Sequence, residues 1–145
     1  MVYIYRVELN GKQVGDKVMA EMIYQSPKSI EEAVNLLAAS SGSVNILAGG
    51  TDLIIQMQAN IDEPRVIIDV KKIAEMTQAE LTEDALLLGP SMCCAALTAR
   101  EDIKALFPGL VESACLIGSS QVQGRASVGG NLCNSSPAAD TVPAL

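Results

Sequence analysis

The chain has 145 residues, 49% of them apolar, enough for one compact domain with a real core and too few for two full-sized ones. A formal net charge of -7, with three Tyr, one Phe and no Trp, argues against nucleic acid or an anionic membrane surface as a partner. Histidine is absent, which removes histidine acid–base catalysis, Ser-His and Cys-His nucleophile pairs and histidine metal ligands together.

Residues 1–22 read as an N-terminal extension. Val2, Ile4, Arg6 and Glu8 alternate with Tyr3, Tyr5, Val7 and Leu9 before an Asn10-Gly11 turn, the pattern of a short hairpin. Arg6 and Glu8 interrupt the run that a secretory signal would need, and the best apolar stretch, Ala85 to Ala99, is broken by Gly89, Pro90 and Ser91. The expectation is a cytoplasmic protein whose Cys93, Cys94, Cys115 and Cys133 stay reduced. These cysteines form no Cys-x-x-Cys pair, so no metal site is expected, and free cysteine is usually a small buried hydrophobe.

A domain begins at about residue 23. Ser29 with Glu32 forms a capping box for a helix carrying Ile30, Ala33, Val34, Leu36 and Leu37. Ser41-Gly42-Ser43 closes it, and Val44 to Ala48 reads as a buried strand that ends in Gly49-Gly50. Leu53, Ile54 and Met57 then recur at helical spacing, with Thr51 as candidate cap. After Pro64, Val66 to Val70 predicts a strand, Lys71 to Met76 a helical turn, and Ala79 to Leu81 with Leu86 to Leu88 two strands around Thr82-Glu83-Asp84. One helix is predicted over Ala95 to Leu106, ended by Phe107-Pro108-Gly109, and a second over Leu110 to Ile117. From Gly118 onward the chain is small and polar and reads as a long loop, which in a compact domain is usually functional.

Two segments carry chemistry. In Ile46-Leu47-Ala48-Gly49-Gly50-Thr51-Asp52-Leu53, glycines at a strand end leave backbone amides unobstructed ahead of a helix, a site for a pyrophosphate. Glycine pairs also serve such turns for geometry alone, and Asp52 would repel phosphate and suits the helix N-terminus. In Ala126-Ser127-Val128-Gly129-Gly130-Asn131, a second pair of bare glycine amides adjoins Ser127 and Asn131, which can donate. Asp140 follows as an acceptor for a sugar or ribityl hydroxyl, and Arg125, the only cation after Lys104, is the candidate counter-charge or else a solvated loop residue. A Rossmann site is disfavoured because no Gly-x-Gly-x-x-Gly follows a strand.

The Ala-Gly-Gly-Thr-Asp-Leu turn, followed in order by Ser-Val-Gly-Gly-Asn and Ser-Pro-Ala-Ala-Asp, resembles the FAD-binding medium subunits of molybdenum hydroxylases of the xanthine dehydrogenase and carbon monoxide dehydrogenase kind. Tyr24 to Ala33 and Leu86-Leu87-Leu88-Gly89-Pro90 extend the likeness, so that it covers residues 23–145. It implies an α+β, two-lobed domain of the p-cresol methylhydroxylase type. A small βα lobe would span about 23–60, and a lobe with a mixed or antiparallel sheet and flanking helices about 61–145, incomplete at its C-terminus.

The resemblance also implies that Ile46 to Leu53 wraps the pyrophosphate and ribityl chain of FAD, that Ser127, Val128, Gly129, Gly130, Asn131 and Asp140 form the other wall, and that Ile117 lies near adenine or ribose. FAD would be non-covalent, since the histidine attachment used by some relatives is closed to this chain. Partners would be a molybdenum-cofactor large subunit and a 2Fe-2S small subunit, with electrons leaving through FAD to NAD or another acceptor. Gln123 stands where the family commonly has a basic residue, which would shift the anion's counter-charge to Arg125. The competing expectation is a truncated, non-enzymatic fragment or interaction module that keeps the fold and binds no FAD.

Overall fold

A computed structural model describes residues 21–59 and 65–145. The predicted hairpin of residues 2–18 lies outside them.

The first lobe is a three-stranded parallel sheet in the order β1-β3-β2, formed by β1 (Met22–Gln25), β2 (Ser43–Leu47) and β3 (Arg65–Asp69). Ile68 of β3 pairs with Gln25 on one side and Ile46 on the other. As the central strand of a parallel sheet, β3 carries the apolar run Val66-Ile67-Ile68, with Ile67 and Ile68 buried. This pairing corrects the lobe boundary expected near residue 60: a cut there would remove the middle strand from the sheet it completes. Strand β2 is a sheet edge whose residues are half-buried or exposed, so the expectation of a buried strand at 44–48 holds for the strand and not for its burial.

Helix α1 (Ile30–Ala39) starts where the capping residues placed it. Ser29 Oγ accepts from the Glu32 N–H at 3.1 Å, while the Glu32 carboxylate reaches one residue further back, to the Lys28 N–H at 2.8 Å. Ala33 of α1 closes the lobe's core with Ile68, Val70 and Ile73. Helix α2 (Leu53–Ala59) follows the first glycine turn, and the short helix α3 (Ala74–Thr77) follows a 3-10 turn at Val70–Lys72.

The second lobe combines the antiparallel pair β4 (Ala79–Leu81) and β5 (Leu86–Leu88) with helices α4 (Cys94–Thr98), α5 (Glu101–Leu106) and α6 (Pro108–Leu116). Its core is separate, built from Cys94, Leu97, Ile103, Val111 and Ala114 with Ile117 and Val128 at its border. The single helix expected over 95–106 is two. The backbone is extended at Arg100 (φ -89, ψ 95), whose guanidinium binds the Asp102 carboxylate at 2.6 and 2.8 Å and the Ala79 carbonyl at 3.2 Å. Pro108, expected as a terminator, is the first residue of α6, where its missing N–H costs nothing.

The long loop expected from Gly118 is also corrected. It contains α7 (Ser120–Gln123) and α8 (Val128–Asn134), and each begins at a serine whose hydroxyl oxygen accepts from an N–H three residues on: Ser119 from Val122, and Ser127 from Gly130. Local capping thus overrides the low helix propensity of Gly129 and Gly130.

Candidate functional site

The two lobes enclose a cleft of about 500 Å³, within the usual range for small-molecule sites. One wall is the turn between β2 and α2 with the apolar stripe of α1, namely Ile30, Val34 and Leu37. The other is α8 with Pro90, Ser91 and Ile117. Val34 is 54% exposed and Ile30 45% exposed, an unusual state for the apolar side of an amphipathic helix unless something apolar fills the space beside it.

The lobes meet at Gly49, and a second glycine closes α8 onto Pro90 within the far wall. A Cβ on Gly49 would overlap the Arg125 carbonyl and stand 3.1 Å from Ala126 Cα, so the first glycine turn lies directly on the chain entering α8. A Cβ on Gly129 would overlap Pro90, whose carbonyl accepts from the Gly129 N–H at 3.1 Å. A Cβ on Gly130 would stand 3.8 Å from Ala48 Cβ, which brings the two sequence motifs face to face. Gln56 Nε2 spans from α2 to Asn134 Oδ1 at 2.8 Å.

The turn and the helix differ in what they offer a ligand. Gly50 has φ +89, and the N–H groups of Gly49, Gly50 and Thr51 donate to no group among the described residues. The second glycine pair is not bare, contrary to expectation. Gly129 N–H is bound to Pro90 and Gly130 N–H to Ser127 Oγ at 3.2 Å, so these glycines serve close approach. Donors left on this wall include the Ser127 hydroxyl hydrogen, the Ser91 hydroxyl, which has no partner among the described residues, and the Asn131 side-chain amide, because Asn131 Oδ1 already accepts from Thr141 N–H at 3.1 Å and Thr141 Oγ1 at 2.6 Å.

Of the residues singled out from sequence, Ile46, Ala48, Gly49, Gly50, Thr51, Asp52 and Leu53 line the cleft on one side. Ile117, Ser127, Gly129, Gly130 and Asn131 line it on the other. Leu47, Val128 and Asp140 do not. Leu47 packs behind Gly50, Val128 is buried in the second core, and Asp140 is exposed beside the fully buried Thr141. Arg125 is exposed and off the wall, and offers the cleft's edge only its backbone.

The cation at the first glycine turn is Lys71, which the sequence did not single out. Its Nζ donates to the Ala48 carbonyl at 2.7 Å and pairs with Asp69 Oδ1 at 2.8 Å. Asp69 also accepts from the Lys71 N–H at 3.0 Å and from the Tyr24 hydroxyl. Burial alone would raise the Asp69 carboxyl; the Lys71 and Tyr24 hydrogen bonds and the Lys71 charge outweigh it, and its pKa lies below the ordinary 3.8. Burial, then the Asp69 bond and charge, push the Tyr24 hydroxyl up. Lys71 was hidden because it lies 23 residues from the carbonyl it holds.

These features fit a dinucleotide with a diphosphate at its centre: three unpaired amides on a glycine turn, hydroxyl and amide donors opposite, and apolar surface beside them. The comparisons agree. Residues 17–145 match the family described as the FAD binding domain in molybdopterin dehydrogenase. The beta subunit of caffeine dehydrogenase from Pseudomonas sp. (strain CBB1) is 31% identical over 122 residues, 84% of this chain and 41% of that protein. The nicotinate dehydrogenase FAD-subunit of Eubacterium barkeri is 32% identical over 128 residues, 88% of this chain and 43% of that one. Among solved structures, carbon monoxide dehydrogenase from Hydrogenophaga pseudoflava superposes with a TM-score of 0.76 at 29% identity, over 83% of this chain and 42% of that one. The chain therefore belongs to the FAD-binding domain family of the molybdopterin dehydrogenases, and FAD is its cofactor. It spans about two fifths of the length of these curated relatives. No described helix is long and apolar enough to cross a membrane.

Proposed function

We propose that the chain is FAD-binding sequence of an electron-transferring subunit in a molybdenum hydroxylase, placed between an iron–sulfur small subunit and NAD or another acceptor. The observation that carries this is the two-lobed cleft, with a turn of unpaired amides on one wall and glycine-spaced polar groups on the other. When bound, FAD supplies the redox chemistry, taking electrons from iron–sulfur clusters and giving them to the acceptor. The protein binds and orients it.

In this reading the Gly49, Gly50 and Thr51 amides hold the diphosphate. Ser127 and Asn131 donate from across the cleft, and the apolar face of α1 with Ile46 and Ile117 covers ring surface. Asp140 lies outside the cleft wall, and the reading that it accepts from a ribityl or ribose hydroxyl rests on its neighbour Thr141, which is bonded to Asn131 of the wall. A molybdenum-cofactor large subunit completes the assembly, which we place in the cytoplasm.

Titration of the purified chain with FAD, followed by flavin fluorescence and absorbance, tests the reading. Binding that weakens in Gly130→Ala and in Asp140→Ala supports the divided site. A folded chain with no affinity for FAD sinks it and leaves the alternative, a fold kept without its cofactor.

A further inference from the structure

We propose that Lys71 is a positioning residue for the dinucleotide: from behind the first glycine turn it fixes the Ala48–Gly49 peptide so that the Gly49 N–H faces the cleft. The inference rests on the FAD reading of that cleft. Lys71 lies in the 3-10 turn after β3 and is not part of the cleft wall, whereas Ala48 and Gly49 are. Its ammonium holds the Ala48 carbonyl at 2.7 Å. In a planar trans peptide the carbonyl and the following N–H point in opposite directions. Anchoring the carbonyl on the side of Lys71 therefore sends the Gly49 amide hydrogen the other way, and that N–H has no acceptor among the described residues. A charged donor on the carbonyl also polarises the peptide and strengthens its N–H as a donor.

The ammonium is itself held in place. Asp69 Oδ1 pairs with it at 2.8 Å, and Asp69 is steadied by the Lys71 N–H and by the Tyr24 hydroxyl from β1. A lysine in solvent could adopt many rotamers; this one is half-buried and bound at both its backbone N–H and its head group. Because its charge is balanced by Asp69, Lys71 acts on the cleft through the Ala48–Gly49 peptide it holds, a route Arg125, exposed and off the wall, does not have.

The test compares Lys71→Met, Lys71→Arg and, as a stability control, Ile73→Val, which alters the fully buried core residue after the 3-10 turn and touches neither the cleft nor Ala48. Two readouts are used on the whole chain: the amide 1H–15N resonances of Gly49 and Gly50 without ligand, and FAD affinity. The expected result is that Lys71→Met moves both glycine resonances and weakens FAD about tenfold, the effect of one charge-assisted hydrogen bond. Lys71→Arg recovers most of both, and Ile73→Val lowers the melting temperature while leaving both unchanged. Glycine resonances that stay in place in Lys71→Met overturn the proposal. So does an FAD affinity no weaker in Lys71→Met than in Ile73→Val. If the parent chain binds no FAD, the functional reading fails, and the resonances still decide the role of Lys71.

Discussion

Gly49→Ala is the most demanding single change the structure defines. The added methyl would meet the Arg125 carbonyl head-on, with the Arg125 carbonyl carbon at 2.8 Å and Ala126 Cα at 3.1 Å. All of these are backbone atoms, so no side-chain rotation relieves the overlap. The opposing segment cannot easily retreat either, because Ala126 N–H is bound to Val122 at 2.7 Å and its carbonyl to Cys94 N–H at 2.8 Å. Overpacking costs about 1–3 kcal/mol where the surroundings give way, and here the cost belongs at the upper end, about 3 kcal/mol. For a domain of this size that lowers the melting temperature by roughly 10 °C. Because the methyl forces the two lobes apart, FAD affinity should fall with stability. Gly109→Ala is the control of opposite sign: it lies in the first turn of α6 with nothing within 4 Å of its missing Cβ, so it should be neutral or stabilising by up to about 1 kcal/mol. Thermal melts followed by circular dichroism, with FAD titrations on each variant, measure both. A Gly49→Ala protein that melts within about 2 °C of the parent, or a Gly109→Ala protein that falls as far as Gly49→Ala, would refute the packing argument.

Ser29→Ala removes the acceptor of the Glu32 N–H and should destabilise the chain by about 1 kcal/mol in urea denaturation. The depressed Asp69 carboxyl contributes stability above its unfolded value of 3.8, and that contribution disappears as the pH falls through its lower folded value. Asp69→Asn should therefore be less stable than the parent at neutral pH and show a flatter stability–pH curve below pH 4, measured by denaturation at stepped pH. Burial pushes the Cys94 thiol up to about 11, so Cys94 should resist alkylation in the native protein while the exposed Cys115 and Cys133 react. Cys133 also lines the cleft, and saturating FAD should slow its alkylation and not that of Cys115, as read by peptide mass spectrometry.

The elements with strong local signals were legible in the sequence. Ser29 with Glu32 marked α1, Val66 to Val70 marked β3, and the leucines on either side of Thr82-Glu83-Asp84 marked the β4–β5 pair. The order β1-β3-β2 was not, because parallel pairing depends on contacts between residues far apart in the chain. The break at Arg100 carries no Gly or Pro to mark it, and its side chain bonds to Ala79, 21 residues away. Helices α7 and α8 were hidden by composition, although Ser119 and Ser127 are ordinary capping residues once the helix is known. At the cleft, most of both glycine segments could be read from their residue types, while the fate of each amide could not. Only the fold shows that Gly129 and Gly130 spend their N–H groups internally and that those of Gly49, Gly50 and Thr51 meet no acceptor among the described residues.

At Gly49 the two lobes meet through main chain alone, and Gly129 is pressed as tightly onto Pro90 inside the second lobe. Such a join stores no information in charge or polarity; it recognises only size. A saturation mutagenesis map should show it as a thin band where every substitution fails alike, whatever its chemistry. The exposed apolar positions around it, such as Ile46 and Val34, should tolerate exchange among residues of similar bulk. The two halves of the domain are thus registered to each other as machined faces are, by the absence of material between them.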